Sequence, residues 1–139
     1  MTTAREIMHA GAECIGENDS LQYAAQRMRD LDVGAMPICG RGGRLEGILT
    51  DRDIVIKCVA ADGDPNKMTA GELAQGTPVT VDSGADVTDV LIAMEEHQIR
   101  RLPVLENRRL VGMISEADLA RHLPEHAVGA FVEAICATD

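Results

Sequence analysis

The side chains best suited to chemistry in this chain are its histidines, two hydroxyl–carboxylate pairs and four cysteines. Glu95-Glu96-His97 and His122-Leu-Pro-Glu125-His126 set imidazoles beside carboxylates. Two or three such nitrogens with an oxygen from Glu96 or Glu125 suit Zn²⁺, and His97 and His122 are the leading candidates. A histidine at a helix C-terminus is also favoured by the dipole alone, so both readings stand at this point. The letters of residues 122–126 fit the H-x-x-E-H protease motif, but that motif needs one unbroken helix and Pro124 interrupts it. No Gly-x-Ser-x-Gly elbow, P-loop or Rossmann fingerprint occurs, and no catalytic activity is expected.

Thr50-Asp-Arg-Asp53 and Ser115-Glu-Ala-Asp118 share the pattern S/T-x-x-D, sixty-five positions apart. One copy would read as an ordinary capping box, in which hydroxyl and carboxylate satisfy free N–H groups at a helix start. Such a cap is worth about 1 kcal/mol. The free N–H groups and dipole of a helix start also favour a phosphate. Cys14, Cys39, Cys58 and Cys136 are too few and too scattered for a disulfide scaffold or a metal knuckle, which leaves a single bridge open.

The elements that carry these residues come in two copies. Thr3, Ala4, Glu6 and Ile7 return as Thr69, Ala70, Glu72 and Leu73, and the stripe Leu21, Ala24, Ala25, Met28 returns as Val87, Val90, Leu91, Met94. After the turn within each hairpin the offset drops from 66 to 65, because Gly40–Arg44 is one residue longer than Glu106–Arg109. Each stripe has helical spacing, with Ser20 and Asp86 placed as caps, and His97 falls where the first copy has Leu31 on the apolar face. Met36–Cys39 with Leu45–Thr50, and Leu102–Leu105 with Leu110–Ser115, predict hairpins, and second helices follow over about 51–60 and 116–123. Cys14-Ile15 and Val79–Val81 are short candidate strands, and 127–137 a candidate final helix. The expected fold is therefore α/β (α+β): two β-α-β-β-α repeats, 1–66 and 67–139, packed about a pseudo-twofold axis with clefts where their sheets meet.

Composition bounds the partners. The chain has 139 residues, a net charge of −10 and only Tyr23 and Phe131 as aromatics. That charge repels phosphate backbones and offers no stacking platform, so nucleic acid is not an expected partner. A chain of this length buries roughly two-thirds of its unfolded surface, enough for a core without staples. No run approaches a membrane span and no signal-peptide layout opens the chain, so the expectation is a cytoplasmic protein with no membrane partner.

In its motifs the chain resembles the cystathionine-β-synthase (CBS) domain family, in the tandem arrangement called a Bateman module. The likeness is carried by Gly34-Ala-Met-Pro37, Gly47-Ile-Leu-Thr-Asp-Arg-Asp53 and Gly112-Met-Ile-Ser-Glu-Ala-Asp118, and it covers the whole chain. Among small stand-alone members it extends through Thr50–Lys57, Met94–His97 and Glu116–His126. The resemblance implies an adenosine nucleotide as ligand, with Asp53 and Asp118 accepting hydrogen bonds from ribose hydroxyls and Thr50 and Ser115 beside the phosphate. A carboxylate is an acceptor-only group and can take both hydroxyls of the diol. Arg52, Arg100 and Arg101 are the candidate phosphate cations. The second copy departs from the family at Arg100-Arg101-Leu102-Pro103, where the first has Gly34-Ala-Met-Pro37. The missing glycine either narrows the second cleft or trades it for a phosphate clamp.

The resemblance also implies that the two helices of a unit lie on one sheet face, bringing His97 towards His122; a zinc site there is open to completion by a partner chain. It sets the segments of Cys14 and Cys39 side by side, so that a bridge between them is possible; buried thiols in a reducing cytosol are the other reading. A bridge would point to export by a route without a classical signal. The function expected is that of a homodimeric, non-catalytic sensor or stress-response regulator; the alternative is a zinc-binding dimer that takes no nucleotide.

Overall fold

A computed structural model describes residues 2–11, 13–74 and 78–136. Its backbone divides into a contiguous unit, Glu13–Pro78, and a composite unit made of Met1–Ala12 with Val79–Asp139. These packing units are offset from the sequence repeats 1–66 and 67–139. Residues 4–7, counted with the first copy by sequence, pack with the second, and residues 70–73 pack with the first. The cause is burial: Ala4 and Ile7 belong to the core of the composite unit, and Ala70 and Leu73 to that of the contiguous unit.

In the contiguous unit, β2 (Ile15–Gly16) runs parallel to β3 (Ala35–Cys39), which pairs antiparallel with β4 (Leu45–Thr50) in the order β2-β3-β4. Between β2 and β3 lies α2 (Leu21–Leu31), capped by Ser20, whose hydroxyl accepts from the Tyr23 N–H at 3.1 Å. Leu21, Ala24 and Met28 of the predicted stripe are its buried face, whereas Ala25, on the same stripe, is exposed. Gly42 and Gly43 take left-handed φ of 68° and 77° in the turn before β4, which suits glycine. The second helix starts as α3 (Asp51–Ile54) and continues as a π-helical turn over Val55–Val59, with Cys58 fully buried. Such turns are rare and recur at functional sites. The short α4 (Ala70–Leu73) closes the core.

The composite unit has a four-stranded sheet in the order β1-β7-β6-β5. It comprises β1 (His9–Ala10), β5 (Val81–Asp82), β6 (Arg101–Glu106) and β7 (Arg109–Ser115), with α1 (Ala4–Ile7), α5 (Val87–His97), α6 (Glu116–His122) and α7 (Glu125–Cys136). Strand β1 has no counterpart in the other sheet among the described residues and was not predicted. It pairs with β7 through His9 opposite Met113 and Ala10 opposite Gly112. Pro124 ends α6 and also starts α7, since its carbonyl accepts from Ala127 and Val128. Phe131 and Ile135 of α7 complete the core around Val90, Met94, Leu102 and Leu119. No described helix is long and apolar enough to cross a membrane.

Candidate functional site

Both S/T-x-x-D segments form reciprocal capping boxes. The Thr50 hydroxyl accepts from the Asp53 N–H and the Asp53 carboxylate accepts from the Thr50 N–H, each at 3.0 Å. The Ser115 N–H donates to Asp118 Oδ2 at 2.8 Å, and the Ser115 hydroxyl donates to the same oxygen at 3.0 Å while accepting from the Asp118 N–H. The helix that follows each strand also returns to the same place: the Asp51 N–H donates to the Gly34 carbonyl and the Glu116 N–H to the Arg100 carbonyl. Arg100 thus takes over the backbone role of Gly34.

The two carboxylates differ in what else they hold. Asp53 Oδ1 faces the ammonium of Lys57 at 3.4 Å, and its side chain is 24% exposed. Asp118 is 2% exposed. Its Oδ1 accepts from the Arg121 guanidinium and lies 2.9 Å from His9 Nε2, which donates to it when that nitrogen carries the proton; the same nitrogen is 3.3 Å from the Arg121 guanidinium. A carboxylate has about four lone-pair sites. Among the described residues Asp118 meets three fixed donors, with His9 Nε2 as a fourth when it is protonated, whereas Asp53 meets two.

The expected phosphate cations sit differently. Arg52 is exposed, but Lys57 is the cation beside Asp53. Arg100 lies 3.8 Å from Glu116 and donates to the Cys136 sulfur at 3.7 Å, so it is engaged within its own unit. Arg101 is exposed at the start of β6, opposite Ser115. Lys57 and Arg121 are one helical turn from their aspartates, an i,i+4 and i,i+3 spacing that signals such pairs in sequence. His9 is distant in sequence and carried no such signal.

Two clefts lie elsewhere. One in the contiguous unit, of about 350 Å³, is lined by Glu17, Arg44, Glu46 and Gly71. One in the composite unit, of about 430 Å³, is lined by Arg5, Ser83 and Glu106. Neither includes Asp53 or Asp118. Arg5 and Glu106 pair inside the second, and this bond holds the Glu106 carboxyl below its ordinary range and the Arg5 guanidinium above its own. The Ser83 hydroxyl adds a bond to Glu106 at 3.3 Å.

His97 corrects an expectation. As the last residue of α5 it is exposed, because the helix ends at Gln98 in the left-handed region and Leu31, its counterpart, is itself 38% exposed. The stripe therefore leaves the core before its final turn. The Gln98 amide donates to the carbonyls of Glu95 and Ala134, fixing that helix end against α7. His122 is also exposed, and its Nδ1 lies 2.8 Å from the Asp118 carbonyl. A carbonyl only accepts, so Nδ1 carries the proton and a neutral ring presents its lone pair at Nε2. No group of three metal-ligating side chains occurs among the described residues. Cys14 and Cys39 are joined by a disulfide with Cα atoms 5.7 Å apart, and Cys58 and Cys136 are free.

The CBS domain family matches the chain twice, over residues 4–59 and 70–125. Hypoxic response protein 1 of Mycobacterium tuberculosis is 60% identical over 136 residues, covering 98% of this chain and 95% of that protein. The crystal structure of hypoxic response protein I with two coordinated zinc ions superposes with a TM-score of 0.82 at 58% identity, covering 88% of this chain and 100% of that one. The CBS domain pair of protein MJ0100, in complex with 5′-methylthioadenosine and S-adenosyl-L-methionine, superposes with a TM-score of 0.77 at 28% identity, covering 87% of this chain and 94% of that one. With two matches spanning most of its length and a relative aligned almost end to end, this chain belongs to the CBS domain family as a tandem CBS protein homologous to hypoxic response protein 1.

Proposed function

We propose that this chain is a non-catalytic stress-response regulator that senses an adenosine nucleotide through Asp53. The observation that carries the reading is Asp53, partly exposed at a helix start with Lys57 beside it and with acceptor capacity that no other described residue fills. The complex of MJ0100 with two adenosine compounds supports this ligand class. Asp53 would accept from the ribose hydroxyls, the helix start carrying Thr50 would face the phosphate, and Lys57 would supply the cation. Thermal unfolding with AMP, ATP, 5′-methylthioadenosine or S-adenosyl-L-methionine tests it. A ligand at a hundred times its dissociation constant adds about 2.7 kcal/mol. No shift with any of the four, or an equal shift in Asp53→Asn, refutes the reading.

A second reading is zinc binding by His97 and His122, favoured by the tautomer that the Asp118 carbonyl imposes on His122 and by the two zinc ions of hypoxic response protein I. A metal-binding imidazole commonly donates its other N–H to a carbonyl, as His122 does. Two imidazoles fit nitrogen coordination but leave the usual four positions unfilled, so the remaining ligands would come from a second copy. Zinc and EDTA in the same unfolding assay, with His122→Ala, decide this reading; it fails if neither shifts the transition.

A homodimer accords with both readings. Tyr23, Leu31 and Val33 at one helix and Val55, Ile56 and Val59 at its neighbour are large, apolar and exposed within the contiguous unit. Sedimentation of the wild type and Val55→Glu/Val59→Glu tests the dimer, which must dissociate in the variant. The Cys14–Cys39 bridge fits an oxidising compartment reached by export better than a reducing cytoplasm.

A further inference from the structure

The two S/T-x-x-D segments fold alike, yet one carboxylate is open and the other is spent. Asp118 has Ser115 on one oxygen and Arg121 with His9 on the other, and it is buried. We infer that Arg121 and His9 form a clasp that closes the second carboxylate to ribose, so that each chain takes a single nucleoside ligand, at Asp53. The inference rests on the nucleoside reading proposed above and adds to it the number of sites and the residues that set it.

Three observations support the clasp. Sixty-five positions before Arg121 the first copy has Ile56, which has no donor and is half exposed. His9 arrives on β1, which pairs with β7 through His9 opposite Met113. Gly112 makes that strand possible, because a Cβ there would stand 2.7 Å from the His9 carbonyl oxygen. A ribose diol brings two donors, and with the proton on His9 Nε2 Asp118 has no lone pair left for either. The His9 and Arg121 side chains are 72% and 54% exposed, so their removal takes nothing from the core.

Calorimetric titration of the full chain with AMP reads the number of sites. The wild type and Asp118→Asn are expected to bind one AMP per chain, and Asp53→Asn none. His9→Ala and Arg121→Ile each free one lone pair and leave one site. Together they free both and are expected to bind two AMP per chain, the second without affinity for the 2′,3′-dideoxy analogue. Arg121→Ala with His9→Ala repeats the test should the isoleucine variant misfold, with circular dichroism as the check. Two AMP per wild-type chain, loss of binding in Asp118→Asn, or no second site in either double variant overturns the clasp. A wild type that binds none while a double variant binds one upholds the clasp and refutes the Asp53 reading. No binding by any of these proteins refutes both.

Discussion

Gly112, opposite Ala10 in the sheet, closely approaches the backbone of His9: a Cβ on Gly112 would meet the His9 carbonyl oxygen at 2.7 Å and the Met8 sulfur at 2.5 Å. A methionine tail can swing aside, but the strand backbone can do so only by giving up its pairing with β7. Gly112→Ala is therefore expected to cost about 1–3 kcal/mol in urea unfolding, the range for overpacking. Gly47→Ala, whose nearest neighbour is the Ala74 methyl at 3.0 Å, is expected to cost less. Equal losses would show that β1 is not held by this contact.

The Cys14–Cys39 bridge closes a loop of sequence separation 25. Cross-linking of that span stabilises by about 3 kcal/mol through the unfolded chain. Cys14→Ser is expected to lower the unfolding free energy by that amount under non-reducing conditions, and dithiothreitol to bring the wild type to the same value. Mass spectrometry of the alkylated protein should find two free thiols before reduction and four after.

Phe131 lies beyond residue 125, where the second CBS match ends, yet it is 1% exposed in the core of the composite unit. Phe131→Ala is expected to cost about 3–5 kcal/mol by chemical denaturation. A loss below about 1 kcal/mol would mean that α7 merely decorates the domain.

The Arg5–Glu106 pair gives an acid-side prediction. Glu106 has a folded pKa below its ordinary value of 4.5, so the unfolded chain binds its proton first as pH falls. Its contribution is fully present above that ordinary value and disappears as pH drops through the lowered one. Arg5, shifted upward, stays charged throughout. Glu106→Gln is expected to flatten the stability–pH slope below about pH 5, and added salt to shrink the difference, since the pair is exposed. An unchanged slope would deny the pair any effect.

Local patterns made most of this fold legible in the sequence. The stripe through Leu21 and Met28 gave α2, the repeat gave its counterpart α5, and two S/T-x-x-D segments gave both helix starts at the correct residues. What periodicity does not encode is which half a short segment joins. Residues 3, 4, 6 and 7 match residues 69, 70, 72 and 73 in type, so their pattern does not say which core each set joins, and the exchange between halves is decided by tertiary packing. His9 was illegible for the same reason: its partner is more than a hundred residues away. His97 was misread because a helix end turns its last stripe position outward.

The exchange sets an order of events during synthesis. Residues 13–78 contain every strand of their own sheet and can close as soon as they leave the ribosome, N-terminal part first. The opening residues emerge earlier but wait for the second half: residues 2–5 bond to residues 83–87, and His9 pairs with Met113 only when β7 arrives. Long-range pairing of this kind is slow because the intervening chain must be brought round first. A segment made before the first unit is thus among the last to find its place, and it trails from that unit as a loose strand until the second half is complete.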